Sequence, residues 1–147
     1  MFNHYLLFFS LFYLINNVIS FQKCEIQEAQ IICSGFDITD ESLNDLHRKL
    51  ISKFDGLYFQ MLIISDTQIT RIPENVFSGV LFENIIIENN NHLKIIDSDA
   101  FTEQISKTLY IISNPLLKNN SIYKLTHRLH VSEAVDFDFN SLQVKIL

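Results

Sequence analysis

The side chains of this 147-residue sequence with types and spacing suited to chemistry are five histidines, two cysteines and a doublet of carboxylates. His127 and His130 would share one face of a helical turn, as paired zinc ligands do. A zinc hydrolase of the H-E-x-x-H type needs Glu after the first His, and position 128 is Arg. The pair therefore reads as two solvent-facing imidazoles on a helical link. His4, His47 and His92 stand apart. Asp136 and Asp138 could bind calcium or shuttle a proton. They alternate with Val135, Phe137 and Phe139, and a half-buried strand with Phe137 turned inward and the Asp residues on its solvent side is the better account of them. Asp97-Ser98-Asp99 lacks the Gly and the distal Glu of a calcium loop. There is no G-x-S-x-G, no Gly-rich phosphate loop and no dinucleotide fingerprint. The expectation is a chain without catalytic residues, metal or cofactor.

Composition bounds what these groups can sit on. With 48% apolar and 19% charged residues, the chain is globular rather than an acidic disordered tail, and its length suits one core. A formal charge of −6 argues against nucleic acid or an anionic membrane as partner, because phosphate binding needs a basic surface.

Residues 1–20 carry no Lys, Arg, Asp or Glu, and Tyr5 to Ile15 reads YLLFFSLFYLI. Val18 and Ser20 suit positions −3 and −1 of a cut before Phe21, the layout of a secretory signal peptide. Eleven helical residues cover about 16 Å, short of a hydrocarbon core of about 30 Å. Removal of segment 1–20 and export to an oxidising compartment are expected. There, Cys24 and Cys33 would pair and close a loop of about ten residues, a constraint of about 2.5–3 kcal/mol; two unpaired thiols are the alternative. Asn119-Asn120-Ser121 is the one N-glycosylation acceptor.

The elements that must position all this recur along the chain. One copy reads Phe59-x-x-Leu62-x-Ile64-x-x-Thr67-x-Ile69-x-x-Ile72, and the next Phe82-x-x-Ile85-x-Ile87-x-x-Asn90 followed by Leu93 and Ile96. A third reads Leu109-x-Ile111-x-x-Asn114, and a fourth Val135-x-Phe137-x-x-Asn140-x-Leu142. The links recur too: Ile72-Pro73-x-x-Val76-Phe77 matches Ile96-x-x-x-Ala100-Phe101. Two apolar residues at spacing two point one way from a short strand, and the Asn or Thr satisfies backbone groups in the turn that follows. Each Phe returns from the other side to fill the interior. One such unit cannot bury its apolar face alone, but a stack can.

This pattern resembles the leucine-rich repeat, L-x-x-L-x-L-x-x-N-x-L, over about residues 57–142. The resemblance implies an α/β fold: a short solenoid with a curved parallel sheet, an irregular or helical convex side, and an N-terminal cap. The organisation expected is a signal peptide (1–20), a cap with a helix (21–56) and about four repeats (57–147). Cys24-x8-Cys33-Ser34-Gly35 resembles a shortened cysteine-bearing cap of extracellular members of the family. From Thr39 to Phe54, Leu43, Leu46, Leu50, Ile51 and Phe54 follow helical spacing, with Thr39 or Asp40 as cap and Gly56 as stop. No cysteine-bearing cap follows the last unit, so either something outside this chain covers it or the sequence continues further. The short cap and the IPxxVF…ENN…L…IxxxAF rhythm are similar to small secreted arthropod members, some labelled a non-catalytic subunit of a secreted luciferase complex.

In such a stack the outward strand residues form the binding face: Met61, Ile63 and Ser65; Asn84, Ile86 and Glu88; Thr108, Tyr110 and Ile112; and Ala134, Asp136 and Asp138. The middle column runs Ile63, Ile86, Tyr110, Asp136, an apolar strip with a central aromatic. The function expected is a secreted, non-enzymatic protein that holds a peptide or protein edge on this face, with no membrane insertion once the leader is removed. The alternatives are the N-terminal part of a larger receptor or matrix protein and a small secreted α/β enzyme.

Overall fold

Alternation of buried and exposed side chains sets the strands. Ile31 and Cys33, Leu62 and Ile64, Ile85 and Ile87, and Leu109 and Ile111 all point into one core. The computed structural model describes residues 24–53, 57–101, 105–128, 133–138 and 141–145; the leader, the helix stop at Gly56 and Asn140 lie outside them. In chain order the elements are β1 (Glu25–Gln27), β2 (Gln30–Ser34), α1 (Asp40–Lys53), β3 (Leu57–Ser65), β4 (Arg71–Ile72) and β5 (Val80–Glu88). They continue with β6 (Ile95–Ile96), β7 (Ile105–Ile112), α2 (Asn119–Arg128), β8 (Glu133–Asp138) and β9 (Ser141–Lys145).

The fold is α/β with a mostly parallel sheet. Seven strands lie in the order β1-β2-β3-β5-β7-β9-β8, and β4 and β6 form a second, parallel pair. From β2 through β7 every neighbour is parallel. Crossover segments must therefore return on one side, and α1 and the β4–β6 pair lie on those returns, with α2 following β7. Leu43, Leu46 and Leu50 of α1 and Leu125 of α2 join the strand residues in a single core.

Helix α1 starts where the spacing predicts. The Thr39 carbonyl accepts the Ser42 N–H at 3.0 Å, while the Thr39 N–H donates to Ser42 Oγ at 3.0 Å, one arm of a capping box. Asp40 does more than suit the first turn: its carboxylate accepts the N–H groups of Thr70 (2.7 Å) and Arg71 (3.2 Å), tying α1 to β4. Phe77 and Phe101 return into the interior as expected. Both are fully buried and stack at 5.3 Å, with Phe82 edge-on to Phe77 at 5.4 Å.

Two features depart from the sequence reading. Segment 24–34 supplies two strands of its own, and β2 pairs with β3 as if it were one more parallel neighbour. At the opposite end, the expected fourth parallel strand does not lie beside β7. Strand β9 takes that place, antiparallel, and β8 sits outside it as the other arm of a hairpin. A period of two is common to parallel strands and hairpin arms, so Val135, Phe137 and Leu142 fit either arrangement.

Candidate functional site

Each parallel strand ends in the same corner. Gly35, Asp66, Asn89 and Ser113 all have positive φ (109°, 55°, 56° and 53°). The first three donate their N–H groups to Ser65 O, Glu88 O and Ile112 O on the next strand. Asp and Asn tolerate this left-handed conformation because their short side chains can bond locally. One residue on, the polar side chains form a continuous buried ladder. Asn90 Oδ1 accepts the Thr67 N–H (3.1 Å) and hydroxyl (2.7 Å), and Asn114 Oδ1 accepts the Asn90 N–H (3.1 Å) and Nδ2 (3.1 Å). Asn90 Nδ2 also donates to Ile64 O and Asn114 Nδ2 to Ile87 O, each reaching back one strand. Thr67, Asn90 and Asn114 thus line up as expected. Each buried polar group gains a partner, so the corners add order without a desolvation debt.

This framework holds the outward side of the sheet in rows. The middle row is Ile32, Ile63, Ile86 and Tyr110, matched strand to strand, and all four are half-buried. Above it, toward the corners, lie Ser34, Ser65, Glu88 and Ile112; below it lie Gln30, Met61, Asn84 and Thr108. Ser65 is buried and its hydroxyl donates to Ser34 Oγ at 3.0 Å; the Thr108 hydroxyl donates to Asn84 Oδ1. Nine of the outward residues expected from the sequence therefore occupy one surface.

Asp136 and Asp138 do not join it as the fourth column. The Cα partner of Tyr110 is Gln143 of β9, and both Asp residues lie one strand further out on β8. The reversal of direction at the hairpin places an extra strand between them and β7.

Sequence reasoning missed three large apolar or aromatic residues on this side. Ile32 extends the middle row onto β2, hidden in the unbroken run Ile31-Ile32-Cys33. Tyr58 and Leu81 are Cα partners low on β3 and β5, exposed to 53% and 47%, against half-buried Ile63 and Ile86. Their signal was the odd spacing of Phe59 from Leu62 and of Phe82 from Ile85. All four are buried although three apart, so the alternation slips at Gln60 and Glu83. Tyr58 and Leu81 therefore face outward below the slip, and the Tyr58 hydroxyl donates to Glu83.

Cys24 and Cys33 form a disulfide that ties the start of β1 to the inner side of β2. Asn119 opens α2 and is exposed, whereas Ser121 is buried and brackets Ile96: its Oγ accepts the Ile96 N–H at 2.7 Å and donates to Ile96 O. The ring of His127 lies edge-on to Tyr123 at 6.1 Å. Among the described residues, no group of three or more His, Cys, Asp and Glu is placed to hold a metal, and no helix is long and apolar enough to cross a membrane. A scan of family models and searches of curated proteins and solved structures found no match to this chain.

Proposed function

We propose that this chain is a short leucine-rich-repeat solenoid, exported through its apolar leader, that works without catalysis by holding another protein on the outward face of its sheet. The observation that carries the reading is the apolar row Ile32, Ile63, Ile86 and Tyr110, displayed on strands locked in register by the Thr67–Asn90–Asn114 ladder. A surface of this kind binds by shape and apolar contact, and its rigidity lowers the entropy lost on association. The strand-to-strand spacing of 23 and 24 residues at the corners, with left-handed residues in equivalent places, supports the solenoid reading. An enclosed pair of cysteines joined as a disulfide fits an oxidising destination.

Affinity capture from the native extracellular fluid tests the proposal. Tyr110→Ala and Ile86→Asp should each lose a partner that the wild-type chain retains. Equal capture by all three proteins would overturn the assignment of the face.

A further inference from the structure

We infer that Asn119 is a site of N-linked glycosylation that stays open only until helix α2 docks; this rests on the export proposed above and adds a modification to it. Asn119-Asn120-Ser121 is the one acceptor motif in the sequence. The motif has two working groups, the amide of Asn119 and the hydroxyl of Ser121, and a transferase must engage both from one side. In extended chain, residues two apart line one face, so a single enzyme site reaches both. In a helix they point to different sides.

The folded chain holds them in a helix. Asn119 opens α2 and is exposed, as is Asn120, while Ser121 is buried. The Ser121 hydroxyl is already committed: it accepts the Ile96 N–H at 2.7 Å and donates to Ile96 O. The residue before the motif is held as well. The Lys118 N–H donates to Lys94 O at 3.1 Å, and the Lys118 carbonyl accepts the Ser121 N–H at 2.9 Å. Leu125, one turn on from Ser121, is fully buried in the core. Straightening segment 119–121 therefore means peeling α2 off β6 and drawing Leu125 out. One hydroxyl serves the transferase before docking and the fold after it, and each use excludes the other.

The reaction is a substitution at a sugar carbon. Asn119 Nδ2 forms a C–N bond to the anomeric carbon of an oligosaccharide carried on a lipid pyrophosphate. The C–O bond to the pyrophosphate breaks, its electron pair leaves with the phosphate, and the amide gives up one proton to solvent. Once α2 docks, the exposed position of Asn119 leaves the bulky sugar in water beside β6, on the return layer and away from the outward row of the sheet.

Translation of the full chain with endoplasmic-reticulum microsomes tests the inference. Wild type should gain one endoglycosidase-sensitive step in mass, Asn120→Gln should keep it and Asn119→Gln should lose it. Leu125→Asp should undock α2, read by trypsin cleavage at Lys124 and Arg128, and raise the modified fraction. The unmodified full chain, folded and then given solubilised oligosaccharyltransferase with its lipid-linked donor, should react about tenfold or more slower than undocked Leu125→Asp, because only its opened minority can react. A parallel set carries a leader of known function in place of residues 1–20. Wild type left unmodified in both sets would overturn the site, and equal rates for the folded chain and undocked Leu125→Asp would overturn the competition. Modification in the parallel set alone would overturn export through the natural leader while upholding the acceptor chemistry of Asn119.

Discussion

Asn90 shows how much one side chain can hold. Its amide accepts two bonds from Thr67 and donates to Ile64 O and Asn114 Oδ1, all buried groups. Asn90→Ala would strand the Thr67 N–H and the Ile64 carbonyl in the core. It should destabilise the chain by about 2–4 kcal/mol in urea unfolding, because abandoned buried groups lose solvation without replacement. Asn91→Ala, one residue on and exposed, should change stability by less than about 0.5 kcal/mol. Phe77 plays the equivalent apolar part, stacked on Phe101 and edge-on to Phe82. Phe77→Ala should cost about 3–5 kcal/mol by the same measurement, and Phe36→Ala, at a site 75% exposed, almost nothing.

Among the elements, β2 depends on a covalent tie. The disulfide fixes β1 against β2, and β1 is a three-residue edge strand exposed throughout. Replacing both cysteines with Ser should lower stability by about 2.5–3 kcal/mol, and reducing agent should lower the wild type to match. A double variant as stable as the wild type would show that β2 is held by its pairing to β3 alone. Sequence legibility also divides by element. Helix α1 and the cores of β3, β5 and β7 could be read directly, because apolar spacing of three to four or of two reports the buried side. Strand β2 could not, since Ile31-Ile32-Cys33 is apolar at every position and shows no alternation. The hairpin of β8 and β9 has the sequence pattern of a fourth parallel unit, because alternation of period two marks a hairpin arm as well as a parallel strand, and Asn as a residue type suits turns and corners alike. The extra outward reach of Tyr58 and Leu81 was lost for a local reason: the slip at Gln60 and Glu83 inverts which residues face outward.

At the scale of the molecule, the proposed division of labour is between a side that folds and a side that binds. The returns, with Asp40, Asp97 and Asp99 holding Thr70, Arg71 and Arg128, belong to the fold. The outward sheet can therefore be altered with little effect on stability where residues are exposed. Leu81→Asp should leave the melting temperature within about 2 °C of wild type while weakening capture of the partner several-fold. A large drop in melting temperature would instead place Leu81 among the residues the fold requires.

The reversed strand β9 also dictates where the chain can grow. Segment 68–90 runs from just past one corner to the next, so a tandem duplication there would present each corner amide to an Asn side chain and simply widen the array. A duplication after Asn114 has no such berth, because β9 already occupies the flank of β7 and would have to be evicted. Tolerance to lengthening is thus polarised, with internal insertions accommodated and additions at the hairpin side rejected.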